Sequence, residues 1–264
     1  MTYQGVLRKM QTEHRVPIDY YLVFDHDFLN MNQVLNKSIS INFLHFWCTA
    51  CNSQKKIFAN GVCYQCFMQL PEMGEWVIRP ELSRAHLDEE HRNLEFEKRV
   101  QLQPHIVYLA NSSNVKVGVT RKEEVPTRWI DQGAHEAIEV VEVPNRYLAG
   151  ITEVALKDHV SDKTNWRRML TNDLKDLDLK SIKEDLRQYL PEEVQDYFVE
   201  SSEEMQLHYP VIQYPPKIRT LNLIKAPFYE GVLKGIKGQY LIFEDGMVFN
   251  VRKHEGFLVS IAVA

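Results

Sequence analysis

Hydrophobic positions along the chain mark strands toward both ends and a mixture of strands and helices between them. Near the start, Tyr3–Met10, Pro17–Phe24 and Ser38–Trp47 read as strands; in the last, Ile39, Ile41 and Phe43 alternate with Ser40 and Asn42. Residues 80–99 are charged and helix-prone, the pattern of a solvated connecting helix. Two short apolar strands follow, His105–Ala110 and Val115–Thr120, separated by the turn-forming run Asn111-Ser112-Ser113-Asn114. A helix over 126–134 comes next, with Pro126 suited to its first turn and Gly133 to its stop. A strand at Ala137–Val143 and a helix at Arg146–Val160 complete the order β-β-α-β-α, with Leu148, Ile151, Ala155 and Leu156 on one helix face.

Residues 171–204 are helical and acidic, with Pro191 fitting the start of a second short helix, and from Ile212 onward strands return with an Asp245-Gly246 turn. The pattern predicts an α+β protein in five parts. A β-segment with a cysteine module occupies 1–79, a connecting helix 80–103 and a β-β-α-β-α domain 104–170. An acidic helical segment covers 171–207, and a small antiparallel β-barrel or sheet covers 208–264. One internal echo stands out: Tyr3-Gln4-Gly5-Val6-Leu7-Arg8 parallels Tyr229-Glu230-Gly231-Val232-Leu233-Lys234. Either two edge strands are alike, or both ends of the chain contribute equivalent strands to one β-module.

Composition narrows the picture in two ways. No apolar run approaches the roughly 18 residues needed to cross a bilayer, and no apolar core follows the first basic residues, so a cytoplasmic protein without a membrane span is expected. A net charge of -5 argues against non-specific coating of nucleic acid, which many Lys and Arg contacts drive, but leaves room for a local basic patch.

The four cysteines form two Cys-x-x-Cys knuckles, Cys48/Cys51 and Cys63/Cys66, separated by an eleven-residue loop with Asn60-Gly61 at a hairpin turn. Each knuckle converges two thiolates, and four thiolates in a tetrahedral set suit Zn2+ in a structural role, since every position is filled by protein. A redox pair lacks a thioredoxin-like setting, and disulfides belong to exported proteins. Iron in a rubredoxin-like cage uses the same spacing, but nothing else in the chain suggests electron transfer.

Within 104–170, the pieces Ile106-Val107-Tyr108, Lys116-Val117-Gly118, Arg128-Trp129, Glu153 and Asn165 follow an order that resembles the GIY-YIG nuclease superfamily. The resemblance covers about a quarter of the chain and implies the β-β-α-β-α fold. It also implies a site of Tyr108, Lys116, Arg128, Glu153 and Asn165, with Glu153 holding Mg2+. Ile106 stands where the first motif usually has Gly, and Lys116 where the second usually has Tyr. Over its full length the chain also resembles an uncharacterised bacterial domain family that combines a zinc knuckle with this domain.

The chemistry implied is metal-dependent cleavage of a phosphodiester, in DNA rather than RNA. Arg128 would clamp the phosphate with help from Arg121, and Tyr108, Lys116 or His159 would serve as base. Ordinary roles exist for each residue: Tyr108 as a core aromatic, and Glu153 in an i,i+4 ion pair with Lys157. Two other functions therefore stand beside the nuclease: a non-catalytic nucleic-acid-binding module, and a structural or protein-interaction protein. The sequence sets no oligomeric state.

Overall fold

The structure is a computed structural model that describes residues 1–160 and 165–264. Its first strands are β1 (Thr2–Val6), β2 (Gln11–Glu13), β3 (Asp19–Val23), β4 (Phe28–Asn30) and β5 (Ser38–Phe46). The cysteine module holds β6 (Ile57–Ala59), β7 (Val62–Cys63) and helix α1 (Tyr64–Gln69). Asn60 and Gly61 join β6 to β7 with φ of 48° and 77°, the paired left-handed conformation that a two-residue hairpin turn needs.

Between Pro71 and Leu87 the chain makes a series of single 3-10 turns, and only Leu94–Gln101 forms a helix, α2. The continuous connecting helix expected over 80–103 is thus a strap of short turns followed by eight helical residues. Pro71 and Pro80 each start a turn and cannot extend the one before, and Asp88 takes a left-handed conformation that stops the last.

The middle of the chain folds as β8 (His105–Asn111), β9 (Val115–Arg121), α3 (Thr127–Asp131), β10 (Glu136–Val143) and α4 (Arg146–Lys157). This is the strand-strand-helix-strand-helix order read from the sequence. Strand β8 is buried along its whole length because its sheet has a core on each face. Ile106, Tyr108 and Ala110 join a core shared with residues from Leu7 to Ile261, while Val107 and Leu109 face Ala149 and Leu156 of α4. Helices α5 (Trp166–Leu170) and α6 (Leu179–Leu186) follow, then a 3-10 turn at Glu192–Tyr197 capped by Pro191. Strand β11 (Met205–Gln206) closes the central sheet in the order β11-β10-β8-β9. The acidic stretch is therefore less helical than its composition predicts, and its end is a strand.

The last strands are β12 (Arg219–Thr220), β13 (Phe228–Lys237), β14 (Tyr240–Phe243), β15 (Met247–Asn250) and β16 (Phe257–Val263). They share a seven-stranded sheet with the N-terminus, ordered β1-β16-β5-β13-β14-β15-β12. Within it the echoed segments occupy equivalent places. Tyr3 pairs with Ile261, Ile261 with Ile41, and Ile41 with Tyr229, so one row reads the same from either end. Gly5 pairs with Val259 as Gly231 pairs with Ile39.

The hydrogen bonds beyond the strands repeat too. Leu7 N–H donates to Phe257 O while Leu7 O accepts from Gly256 N–H, and likewise Leu233 N–H donates to Lys37 O while Leu233 O accepts from Asn36 N–H. Asn36 and Gly256 are both left-handed, at φ of 64° and 80°. Asn30 and Asn250 each place a side-chain oxygen on an N–H of the following 3-10 turn. A second echo emerges with the pairing: Tyr21-Leu22-Val23-Phe24-Asp25 against Tyr240-Leu241-Ile242-Phe243-Glu244. Two units of the same plan, 3–46 and 229–263, thus exchange their first strands across a local twofold axis between Ile41 and Ile261.

Candidate functional site

Two sites stand out, and the first is the cysteine module. The sulfurs of Cys48, Cys51, Cys63 and Cys66 all lie within 4.8 Å of one another, with Cys51 and Cys63 at 4.0 Å. A tetrahedral zinc ion with metal-to-sulfur distances of about 2.3 Å separates its ligands by about 3.8 Å, so the set could hold a metal ion such as zinc. The thiols are not alike. Burial would raise Cys48, but the N–H groups of Cys51, Cys63 and Ala50 outweigh it and bring the thiol down to about 6. Cys66, desolvated and surrounded by the other sulfurs, is pushed up to about 12. A cation held at the centre would offset the crowding of these sulfurs.

The module docks on the β-sheet through its hairpin tip. Gly61 O accepts from both Thr49 N–H and Thr49 Oγ1, and Trp47 N–H donates to Gly256 O. A Cβ on Gly256 would stand 2.7 Å from Gly61 O, so the backbones meet too closely for any side chain there.

The second site is a cavity of about 570 Å³ beside the edge strand β9. Gly118 forms part of its wall, and across the strand pair Tyr108 stands directly beneath. A Cβ at 118 would fall 2.6 Å from the Tyr108 hydroxyl, so the glycine makes room for the phenol. Among the described residues, that buried hydroxyl has no hydrogen-bond partner. Burial raises its pKa, while Arg128 and Gln132 nearby pull it partly back. Lys116 from β9, Arg128 from α3 and Glu153 from α4 line the same cavity. Asn165 does not: its side chain caps α5, accepting from the N–H groups of Arg167 and Arg168. His159 is also elsewhere, stacked on Tyr189 at 3.5 Å in a cavity with Asp185.

Electrostatics make this cavity basic. Lys9, Lys116, Arg121, Arg128, Arg146 and Arg252 line it, opposed by Glu124, Asp131 and Glu153. Some of that charge is already paired: Asp131 with Lys9 at 3.0 Å, Glu124 with Arg121, and Glu153 with Lys157 at 3.3 Å. Burial raises the Glu153 carboxyl above its usual range, while Lys157 and Arg146 hold it back. Burial, together with Arg128 and Arg121, lowers Arg146 to about 10. The strap closes one side of the cavity. Arg146 donates to Trp76 O and Val77 O, and Gly150 lets the strap touch α4, since a Cβ there would lie 2.1 Å from Glu81 N.

The residues 36–259 match the family described as Protein of unknown function (DUF2797). The chain belongs to that family. The match runs from β5 into β16 and so takes in the cysteine module, the central sheet and the second of the repeated units up to residue 259. No curated protein and no solved structure matches the chain. Among the described residues, no helix is long and apolar enough to cross a membrane.

Sequence reasoning missed Lys9, Asn60, Arg146 and Arg252 as lining residues. Arg146 was within reach, because it precedes Glu153 by two helical turns and shares its face. Lys9, Asn60 and Arg252 carry no such signal, since only the docking of the β-module and the hairpin brings them to the cavity.

Proposed function

We propose that this protein acts on nucleic acid through the Arg128–Glu153 cavity and cleaves a phosphodiester with the help of a magnesium ion, on a GIY-YIG-like domain over residues 104–170. The observation that carries this reading is the convergence of Gly118, Lys116, Arg128 and Glu153, from one strand and two helices, on one basic cavity. An anionic substrate suits its excess of guanidinium and ammonium groups, and Arg128 and Arg146 provide charge for a phosphoryl group. Glu153, with its side chain 12% exposed, is the carboxylate that would hold the ion, which favours few protein ligands and several waters. Bound there, magnesium would polarise the phosphoryl oxygen and stabilise the leaving oxygen. Tyr108, buried with a raised pKa, serves this chemistry by placing its hydroxyl under Gly118. The cysteine module holds structural zinc and gives no reacting group.

The test is magnesium-dependent cleavage of branched, nicked or single-stranded DNA by the full chain. Loss of cleavage in both Glu153→Gln and Arg128→Ala is expected, and cleavage that survives Glu153→Gln unchanged would sink the reading. A second reading, a non-catalytic nucleic-acid-binding module, is favoured by the ion pair that already occupies Glu153 and by Lys116 in place of the second tyrosine. It is recognised by salt-sensitive binding that Glu153→Gln does not weaken and by no cleavage at any magnesium concentration.

A further inference from the structure

A second cavity of about 570 Å³ lies between the cysteine hairpin and the start of β16. It meets the Arg128–Glu153 cavity at Asn60 and Arg252, which line both. Its floor is apolar, with Phe46, Ile57 and Phe257, and its rim carries Phe58, Ile224 and Lys253. Phe58 is 57% exposed although two rings brace it, Tyr64 at 5.1 Å and Phe67 at 5.0 Å. Burial therefore does not explain a large aromatic at this place. Among the described residues, the Arg252 and Lys253 side chains make no hydrogen bond or ion pair, and the one carboxylate in the groove, Glu255, accepts the Lys9 N–H at 2.8 Å.

An exposed braced aromatic beside uncommitted cations is the arrangement that holds unpaired bases and their phosphates. A duplex hides its base faces, so it could use the cations but not Phe58. Resting on the proposed reading of the first cavity as a nucleic-acid site, we infer that the substrate is single-stranded beside the cut. Its strand leaves the Arg128–Glu153 cavity between Asn60 and Arg252, lays a base against Phe58, and sets its phosphates on Arg252 and Lys253. The zinc-type hairpin thereby acts as a recognition wall, and the arginine shared by both cavities links the two.

The experiment uses the full chain and fluorescently labelled oligonucleotides: an oligothymidylate, a duplex with a single-stranded overhang, and the same duplex blunt-ended. Phe58→Ala should weaken binding of the oligothymidylate and the overhang about tenfold, the scale of one lost base stack, and leave the blunt duplex unchanged, whereas Lys253→Ala, which removes a phosphate contact, should weaken all three. Phe58→Leu keeps an apolar brace for Tyr64 and Phe67 but removes the ring. It should lose affinity with intact metal content, which separates lost stacking from a misfolded module. Wild-type affinity for the overhang in Phe58→Leu and Lys253→Ala, with binding abolished in Arg128→Ala, would overturn the track and leave the cavity reading standing. Absence of binding to all three probes by the unaltered protein would overturn both.

Discussion

The cysteine cluster and the basic cavity are neighbours built in opposite ways. All four thiols come from one short stretch, Cys48 to Cys66, and the N–H groups that tune Cys48 belong to that stretch as well. The cavity draws Lys9 and Arg252 from the two repeated units, Lys116 from an edge strand, Arg128 from α3, and Arg146 and Glu153 from α4. The first is a local site that a metal ion can fold, and the second exists only when several distant segments have packed. The cluster should therefore fail alone, whereas the cavity should fail whenever its supports move.

The largest effect belongs to the cluster. On the zinc assignment, Cys63→Ser or treatment with a chelator should cost the module most of its order, because structural zinc sites contribute about 10–16 kcal/mol of apparent binding energy. Amide hydrogen exchange should show the loss over residues 48–70, with β8 and β10 still protected in their two-sided core. An unchanged melt and unchanged metal content in Cys63→Ser would break the assignment. Exchange that spreads into β8 would break the claim that the site is local.

Gly150→Ala comes next and probes the cavity's dependence on distant parts. The new methyl would meet backbone atoms of Pro80 and Glu81, 2.3 and 2.1 Å away, which cannot turn aside as a flexible side chain can. Overpacking of this sort costs about 1–3 kcal/mol or more, and here the relief is to lift the strap off α4. The bonds from Arg146 to Trp76 O and Val77 O would go with it. The expected result is a lowered melting temperature together with weaker nucleic-acid binding, though no lining side chain has changed. Wild-type values of both would show that the strap is not a support.

Glu153→Gln sharpens the contrast through pH. The carboxyl has a folded-state pKa raised by burial, so the folded protein holds the proton more tightly than the unfolded chain does. Ionised Glu153 therefore costs stability above its folded pKa, and that cost vanishes as the pH falls below the ordinary glutamate value of 4.5, where both states are protonated. The variant should melt a few degrees higher than the unaltered protein at pH 7 and at the same temperature near pH 4. A lower melt at neutral pH would mean that the ion pair with Lys157 outweighs desolvation.

Much of the secondary structure was legible because its signals are local. Alternation at Ile39 to Phe43 marked β5, and the order of elements over 104–170 followed from apolar runs and turns. The knuckle spacing marked the cysteine cluster for the same reason. What escaped were facts set by contact between segments. Nothing in residues 80–99 alone distinguishes a solvated helix from a strap held by Arg146 and by the small size of Gly150. Tyr3 to Arg8 could be matched to Tyr229 to Lys234, but the exchange of strands across Ile41 and Ile261 needs the sheet itself. The charge of the cavity was hidden in the same way: a chain of net charge -5 gathers Lys9, Arg128, Arg146 and Arg252 on one concavity only by folding.

The smallest change tests whether the cavity's floor belongs to packing or to chemistry. Tyr108 lies in the shared core, its ring 5.7 Å from that of Trp129, and its buried hydroxyl has no hydrogen-bond partner among the described residues. In the unfolded chain water satisfies that hydroxyl, so folding leaves a polar group worse off, and Tyr108→Phe removes the group while keeping the ring. On packing grounds the variant should be as stable as the unaltered protein or more so, by less than about 1 kcal/mol. A floor that matters only for packing leaves cleavage and binding untouched. The proposed site needs the hydroxyl beneath Gly118, so cleavage should fall by an order of magnitude or more while the melt holds and binding to the blunt duplex stays the same. Destabilisation would instead point to Arg128 or Gln132 as a partner of the phenol, and full cleavage would remove Tyr108 from the chemistry and return it to the core.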